Sequence, residues 1–128
     1  MKFIADTHAF LWFITDSSQL SPQAKTLLES PDSERVLNAA SVWEIAIKTS
    51  LGKLSFKEPL AQFLPEQIRH NYFRVLDISS DHALRVAALP MLHRDPFDRM
   101  IVAQALVEQL PILSSDKALD GCGVRRLW

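Results

Sequence analysis

Strand-like and helix-like stretches alternate along this chain, and that alternation limits its fold more than any other feature. Short apolar or β-rich runs stand at KFIA (2–5), RVLNA (35–39), FRVLDI (73–78), PILSS (111–115) and VRRLW (124–128). Each of the first four leads into sequence of helical character. HAFLWFI follows the first. Ser21 is placed to cap PQAKTLLES with Pro22 in the first helical position, and Ser41 opens VWEIAIKT, where Val42, Ile45, Ala46 and Thr49 share one face. Residues 60–70 form a further helix, and Ser80 begins DHALRVAAL. The last helix carries Ile101, Val102, Ala105, Leu106 and Leu110 at helical spacing, and Pro111 ends it before the fourth strand. No linker breaks the series. Such a pattern predicts an α/β fold, a parallel sheet with helices on both faces joined by right-handed crossovers.

A chain of 128 residues fits one domain with one core. At 48% hydrophobic and 23% charged residues, with no repeat or low-complexity tract, it reads as globular rather than disordered. The lone Cys122 lies between two glycines and cannot form an internal disulfide, so a reducing compartment is compatible. MKFIAD is too short an apolar run for a signal-peptide core, and no later run approaches membrane-spanning length. A cytoplasmic protein without a membrane partner is expected. The formal net charge of -1 is not the basic footprint of a passive nucleic-acid binder, so phosphate binding would need help from metal ions.

In an open α/β sheet, ligands bind beyond the carboxyl ends of the strands. Asp6 directly follows KFIA and Asp116 directly follows PILSS, while Glu44 and Asp98 fall in the first turns of helices expected to begin at that edge. Each acid also has a purely structural account. In HRDPFDRMIVAQAL, Pro96 at N1 makes Asp95 the N-cap and Asp98 the N3 residue, where carboxylates meet unsatisfied N–H groups and the helix dipole. Ser41-Val-Trp-Glu44 fits a capping box, Asp116 can cap a short helix of its own, and Asp6 can be a turn acid. Converging, however, the four would repel one another unless a cation neutralised them. All-oxygen donors suit Mg²⁺ or Mn²⁺, and the four histidines show no zinc spacing.

FIADTHAFLW, SVWEIAIKTSLGKL, HRDPFDRMIVAQA and ILSSDKAL, in this order over nearly the whole chain, together resemble the PIN-domain family, in particular the VapC-type ribonuclease toxins of prokaryotic toxin-antitoxin pairs. The most specific elements are SVWEIAIK followed by GKL, and HRDPFDR. The resemblance implies a single PIN domain over residues 1–128. Its fold would be a three-layer α/β/α sandwich around a mostly parallel five-stranded sheet with the first strand inside. It also implies an Mg²⁺-dependent endoribonuclease, Mn²⁺ substituting, with Asp6, Glu44, Asp98 and Asp116 as the catalytic, metal-holding acids. Thr7 and Ser114 match positions whose hydroxyls support such a site, and Asp95 caps its helix and orients groups around it. The implied partners are RNA, a small cognate antitoxin lying across the acidic groove, and a second copy of the chain.

Lys48, Arg94 and Arg99 flank the acids and are candidates for phosphate contacts. They serve equally well as local ion-pair partners, Lys48 of Glu44 and Arg99 of Asp95, worth about 0.2–0.5 kcal/mol each when exposed. His93 fits a loop residue bonded to backbone. Trp12 and Phe13 are adjacent and cannot both face one core from a helix, which leaves one available to another chain.

Two other classes compete. A non-catalytic PIN-like module that binds RNA or protein should lack at least one of the four acids, and none is missing. Phosphoryl transfer through an aspartyl intermediate usually wants a second acid two residues after the first, where this chain has His8. Three glycines form neither a dinucleotide fingerprint nor a phosphate loop.

Overall fold

The computed structural model describes residues 1–90 and 95–128. Its five strands are β1 (Lys2–Ala5), β2 (Glu34–Asn38), β3 (Phe73–Leu76), β4 (Ile112–Leu113) and β5 (Arg126–Leu127). They form one sheet in the order β3-β2-β1-β4-β5, and every pairing is parallel. The sheet is thus wholly rather than mostly parallel, and β1 lies in its interior. Strand order reverses beside β1, since the chain steps outward to β2 and β3 and then returns to β4 on the other side. The crevice at such a reversal, beyond the ends of β1 and β4, is where this architecture holds ligands.

Among the described residues the helices are α1 (Thr7–Ile14), α2 (Pro22–Glu29), α3 (Ala39–Ser50), α4 (Leu60–His70), α5 (Ser80–Arg85) and α6 (Pro96–Glu108), with 3-10 turns at Val86–Ala88 and Lys117–Gly121. Several starts follow local chemistry. Ser21 Oγ accepts from Ala24 N at 3.0 Å with Pro22 at N1, and Asp95 Oδ1 accepts from Phe97 N at 2.8 Å with Pro96 at N1. Helix α5 is capped by Ser79, one residue before the expected start.

Two expected boundaries are corrected. Helix α3 begins at Ala39 with Asn38 as its N-cap residue, so Ser41 lies inside the first turn and the proposed Ser41–Glu44 capping box does not form. Helix α6 ends at Glu108, with Gln109 in the left-handed region (φ 57°) and Leu110 outside the helix. Pro111 disfavours the helical conformation for the residue before it, which moves the end upstream.

The expected single core is divided in two by the sheet. Along β1, Phe3 and Ala5 pack with Phe10, Leu28, Leu37, Ile45 and Leu113, under α1 to α4. Ile4 faces the other way, onto Val36, Ile112, Ile101, Val102 and Ala105, under α6. Alternate strand residues therefore enter alternate cores, and strands buried on both faces read as continuous apolar runs. Of the adjacent aromatics, Phe13 packs on the first core, while Trp12 turns aside to meet Trp128 with ring centroids 5.9 Å apart. No helix among the described residues is long and apolar enough to cross a membrane.

Candidate active site

Asp6 leaves the end of β1 at the point where strand order reverses. It is buried, and its backbone N–H is held by Leu113 O on β4 at 3.1 Å. Its Oδ1 caps α1 by accepting from Ala9 N at 2.7 Å. Burial holds the Asp6 carboxyl above its ordinary range. Hydrogen bonds from the Ser114 hydroxyl and the Ala9 amide, together with the nearby His8, pull it back, and the charge of Asp116 pushes it further up. Asp6 and Asp116 therefore sense each other across the β1–β4 boundary.

Ser114, fully buried just past β4, also accepts from Asp116 N at 3.0 Å. Its hydroxyl thus holds the Asp116 backbone beside the Asp6 carboxylate, whose charge it favours. The Asp116 carboxylate caps the following 3-10 turn, with Ala118 N 3.0 Å from Oδ1.

A second group of polar side chains lies against the first through Thr7, the neighbour of Asp6. Thr7 Oγ1 is 2.8 Å from Glu44 Oε1 and 2.9 Å from Ser41 Oγ. A carboxylate only accepts and a hydroxyl carries one proton, so Thr7 donates to Glu44 and Ser41 donates to Thr7. Glu44 is buried in the second turn of α3. Its other oxygen, Oε2, accepts from Lys48 Nζ at 2.6 Å, which is the i,i+4 pair the spacing suggested. Both oxygens of Glu44 are therefore engaged by the protein's own donors. Ser41 belongs to this group although the sequence suggested only a capping role for it, since nothing local reports a partner 34 residues away.

Asp98 is half-buried in the first turn of α6. The starts of α3 and α6 lie side by side, with Trp43 meeting Phe97 edge-on at 5.3 Å between ring centroids. Arg99 directs its guanidinium at Pro90 O (3.1 Å) and Val86 O (3.0 Å), so part of its donor capacity holds backbone. Asp95 is exposed and acts as the cap. Arg94 and His93 lie outside the described residues.

The structure thus joins Asp6, Ser114 and Asp116, and beside them Thr7, Ser41, Glu44 and Lys48. Among the described residues no three acid, histidine or cysteine side chains stand close enough together to hold one metal ion as placed. The donor chemistry nevertheless fits a hard divalent cation. Asp6 is an acid whose charge is disfavoured by burial, it lies within electrostatic reach of a second acid, Asp116, and the Ser114 hydroxyl lies beside it.

A family profile described as PIN domain matches residues 3–122. A 61-residue stretch is 36% identical to Ribonuclease VapC16 of Mycobacterium tuberculosis, covering 48% of this chain and 42% of that protein, so the match spans less than half of the relative. The fold is similar to VapBC2 from Rickettsia felis bound to a promoter DNA fragment, with a TM-score of 0.75 at 13% identity over 99% of this chain and 98% of that one. It is also similar to FitAcB from Neisseria gonorrhoeae, with a TM-score of 0.67 at 17% identity over 100% and 97% of the two chains.

Proposed function

Because the chain belongs to the PIN domain family, we propose that it is a divalent-metal-dependent endoribonuclease, the VapC-type toxin of a toxin-antitoxin pair, with residues 1–128 as one PIN domain. The observation that carries this reading is the buried Asp6 at the switch in strand order, sharing Ser114 with Asp116. A buried acid facing another acid is costly unless a cation joins them.

Asp6, Asp98 and Asp116 would hold Mg²⁺, or Mn²⁺ in its place, and Glu44 would act through the Thr7 hydroxyl. When bound, such an ion polarises a phosphate and lowers the pKa of an attacking water. The Ala9 amide anchors the Asp6 carboxylate from the start of α1, and the Ser114 hydroxyl favours the charged form of Asp6. Thr7 links that residue to Glu44, and Lys48 balances the buried Glu44 charge. Lys48 and Arg99 would supply positive charge for the RNA backbone, and Arg94, outside the described residues, is a further candidate by its place in the sequence. In a chain of net charge -1 this local charge, rather than the whole surface, must draw RNA in.

The partners follow from the same reading. The relatives of similar fold include a toxin-antitoxin complex from Klebsiella pneumoniae (TM-score 0.63, 18% identity), which supports a small antitoxin as partner here. A homodimer and a cytoplasmic location complete the proposal. One observation favours a non-catalytic binding module instead: both Glu44 oxygens are occupied by the protein's own donors.

The chemistry of the product ends tests the mechanism. Water attack leaves 5'-phosphate and 3'-hydroxyl ends on cleaved RNA. Ends carrying 2',3'-cyclic phosphate would instead show attack by the RNA's own 2'-hydroxyl and contradict it.

A further inference from the structure

Arg126 lies beyond the residues matched by the family, at the far edge of the sheet, yet its guanidinium reaches the candidate site. Nε donates to Asp120 Oδ1 at 2.7 Å and Nη2 to Asp120 Oδ2 at 3.2 Å, a two-pronged ion pair. Nη1 donates to the backbone carbonyl of Ser114 at 3.0 Å. The Ser114 N–H is held in turn by Leu127 O at 3.0 Å, so both main-chain polar groups of Ser114 are gripped by β5. What remains of Ser114 is its hydroxyl, which accepts from Asp116 N at 3.0 Å and stands near enough to the Asp6 carboxylate to favour its charged form.

We infer that Arg126 is a positioning residue that, braced by Asp120, clamps the Ser114–Asp116 turn so that the Ser114 hydroxyl holds the Asp6 carboxylate beside Asp116. This inference rests on the nuclease reading above. A guanidinium suits the task because its planar fork can hold a carboxylate with one edge and a carbonyl with the remaining donor at once. Asp120 is committed to Arg126 and braces the clamp. The same guanidinium also stands within electrostatic reach of Asp116, so it balances charge at the turn it holds. Neither partner needs to touch RNA.

The test pairs Arg126→Gln and Asp120→Asn with wild type, all checked for folding by circular dichroism. Two quantities are read: amide hydrogen exchange at Asp116 by NMR, and the kcat and KM for cleavage of an RNA pool in Mn²⁺. In Arg126→Gln the Asp116 amide should exchange about tenfold faster while amides of β1 and α3 keep their protection. Its kcat should fall about tenfold or more, the usual scale for residues that orient a metal site from behind, with KM within about twofold. Asp120→Asn should move both quantities in the same direction by less, and it carries the test if Arg126→Gln does not fold. Unchanged Asp116 exchange in the folded variants overturns the clamp whatever the activity. Faster exchange with unchanged kcat, or a rise confined to KM, overturns the positioning role. A wild type that cleaves nothing in Mn²⁺ or Mg²⁺ overturns the nuclease reading, and with it the positioning role, even where the exchange data support a clamp.

Discussion

The Thr7 hydroxyl stands 2.8 Å from Glu44 Oε1, tying the first turn of α1 to the second turn of α3 across 37 residues of sequence. Both groups are buried, so the bond is formed where water cannot replace it. Thr7→Val keeps the shape and removes the donor. It should cost about 1–3 kcal/mol in urea unfolding, the penalty of leaving a buried acceptor short of a partner. Thr7→Ser should retain most of the stability, and equal losses in the two variants would refute the bond's role.

Lys48 and Glu44 should behave as a coupled pair. Lys48 is partly exposed while Glu44 is buried, so Lys48→Met strands a buried charge at a cost of about 1–2 kcal/mol after solvent screening. Adding Glu44→Gln removes that charge and should recover part of the loss. A double-mutant cycle by chemical denaturation reads the coupling, and strict additivity would show that the pair contributes nothing.

Asp6 predicts a stability that depends on pH. Its carboxyl is held above the unfolded value of 3.8 by burial. A group raised in the folded state contributes stability fully present below its unfolded pKa and lost as pH rises through its folded pKa. At neutral pH without metal Asp6 therefore costs stability. Asp6→Asn, which keeps an acceptor for Ala9 N, should raise the melting temperature at pH 7, with the advantage shrinking as pH falls toward 3.8. Mn²⁺ should stabilise the wild type more than this variant. A variant that is less stable than wild type at pH 7 would contradict the account of burial.

Behind the site, the fully buried Gln104 accepts from Asn38 Nδ2 and donates to Asp77 O at 3.2 Å. Gln104→Ala should cost about 3 kcal/mol through lost hydrogen bonds and the space left behind. Urea denaturation measures it, and a loss under about 1 kcal/mol would mean that water takes over the role of the amide.

Much of this fold could be read along the chain because its strands are buried on both faces and its helices begin with strong local signals. Ser21-Pro22 and Asp95-Pro96 stand where the chemistry of caps places them. The end of α6 is decided locally by Pro111, but the start of α3 is decided by a distant partner. Asn38 begins α3 without a side-chain cap because its amide is turned to Gln104, 66 residues on, and Ser41 looked like the cap while serving Thr7. The acids themselves were visible as strand-end and helix-start residues. Their companions Ser41 and Arg126 were not, because Ser41 meets the site only once β1 and β2 are side by side, and Arg126 only once β4 and β5 are. The i,i+4 spacing did report the Lys48–Glu44 pair, but no local pattern reported that Thr7 would take the other oxygen of Glu44.

Cleavage of a mixed pool of tRNA and structured RNA tests the central claim most directly, with wild type in Mn²⁺, Mg²⁺ and EDTA beside an identically purified Asp98→Asn. The account predicts cutting by wild type in either ion, none in EDTA, and a loss of about a hundredfold or more in the variant. Equal cutting by both proteins, or cutting that persists in EDTA, would contradict it.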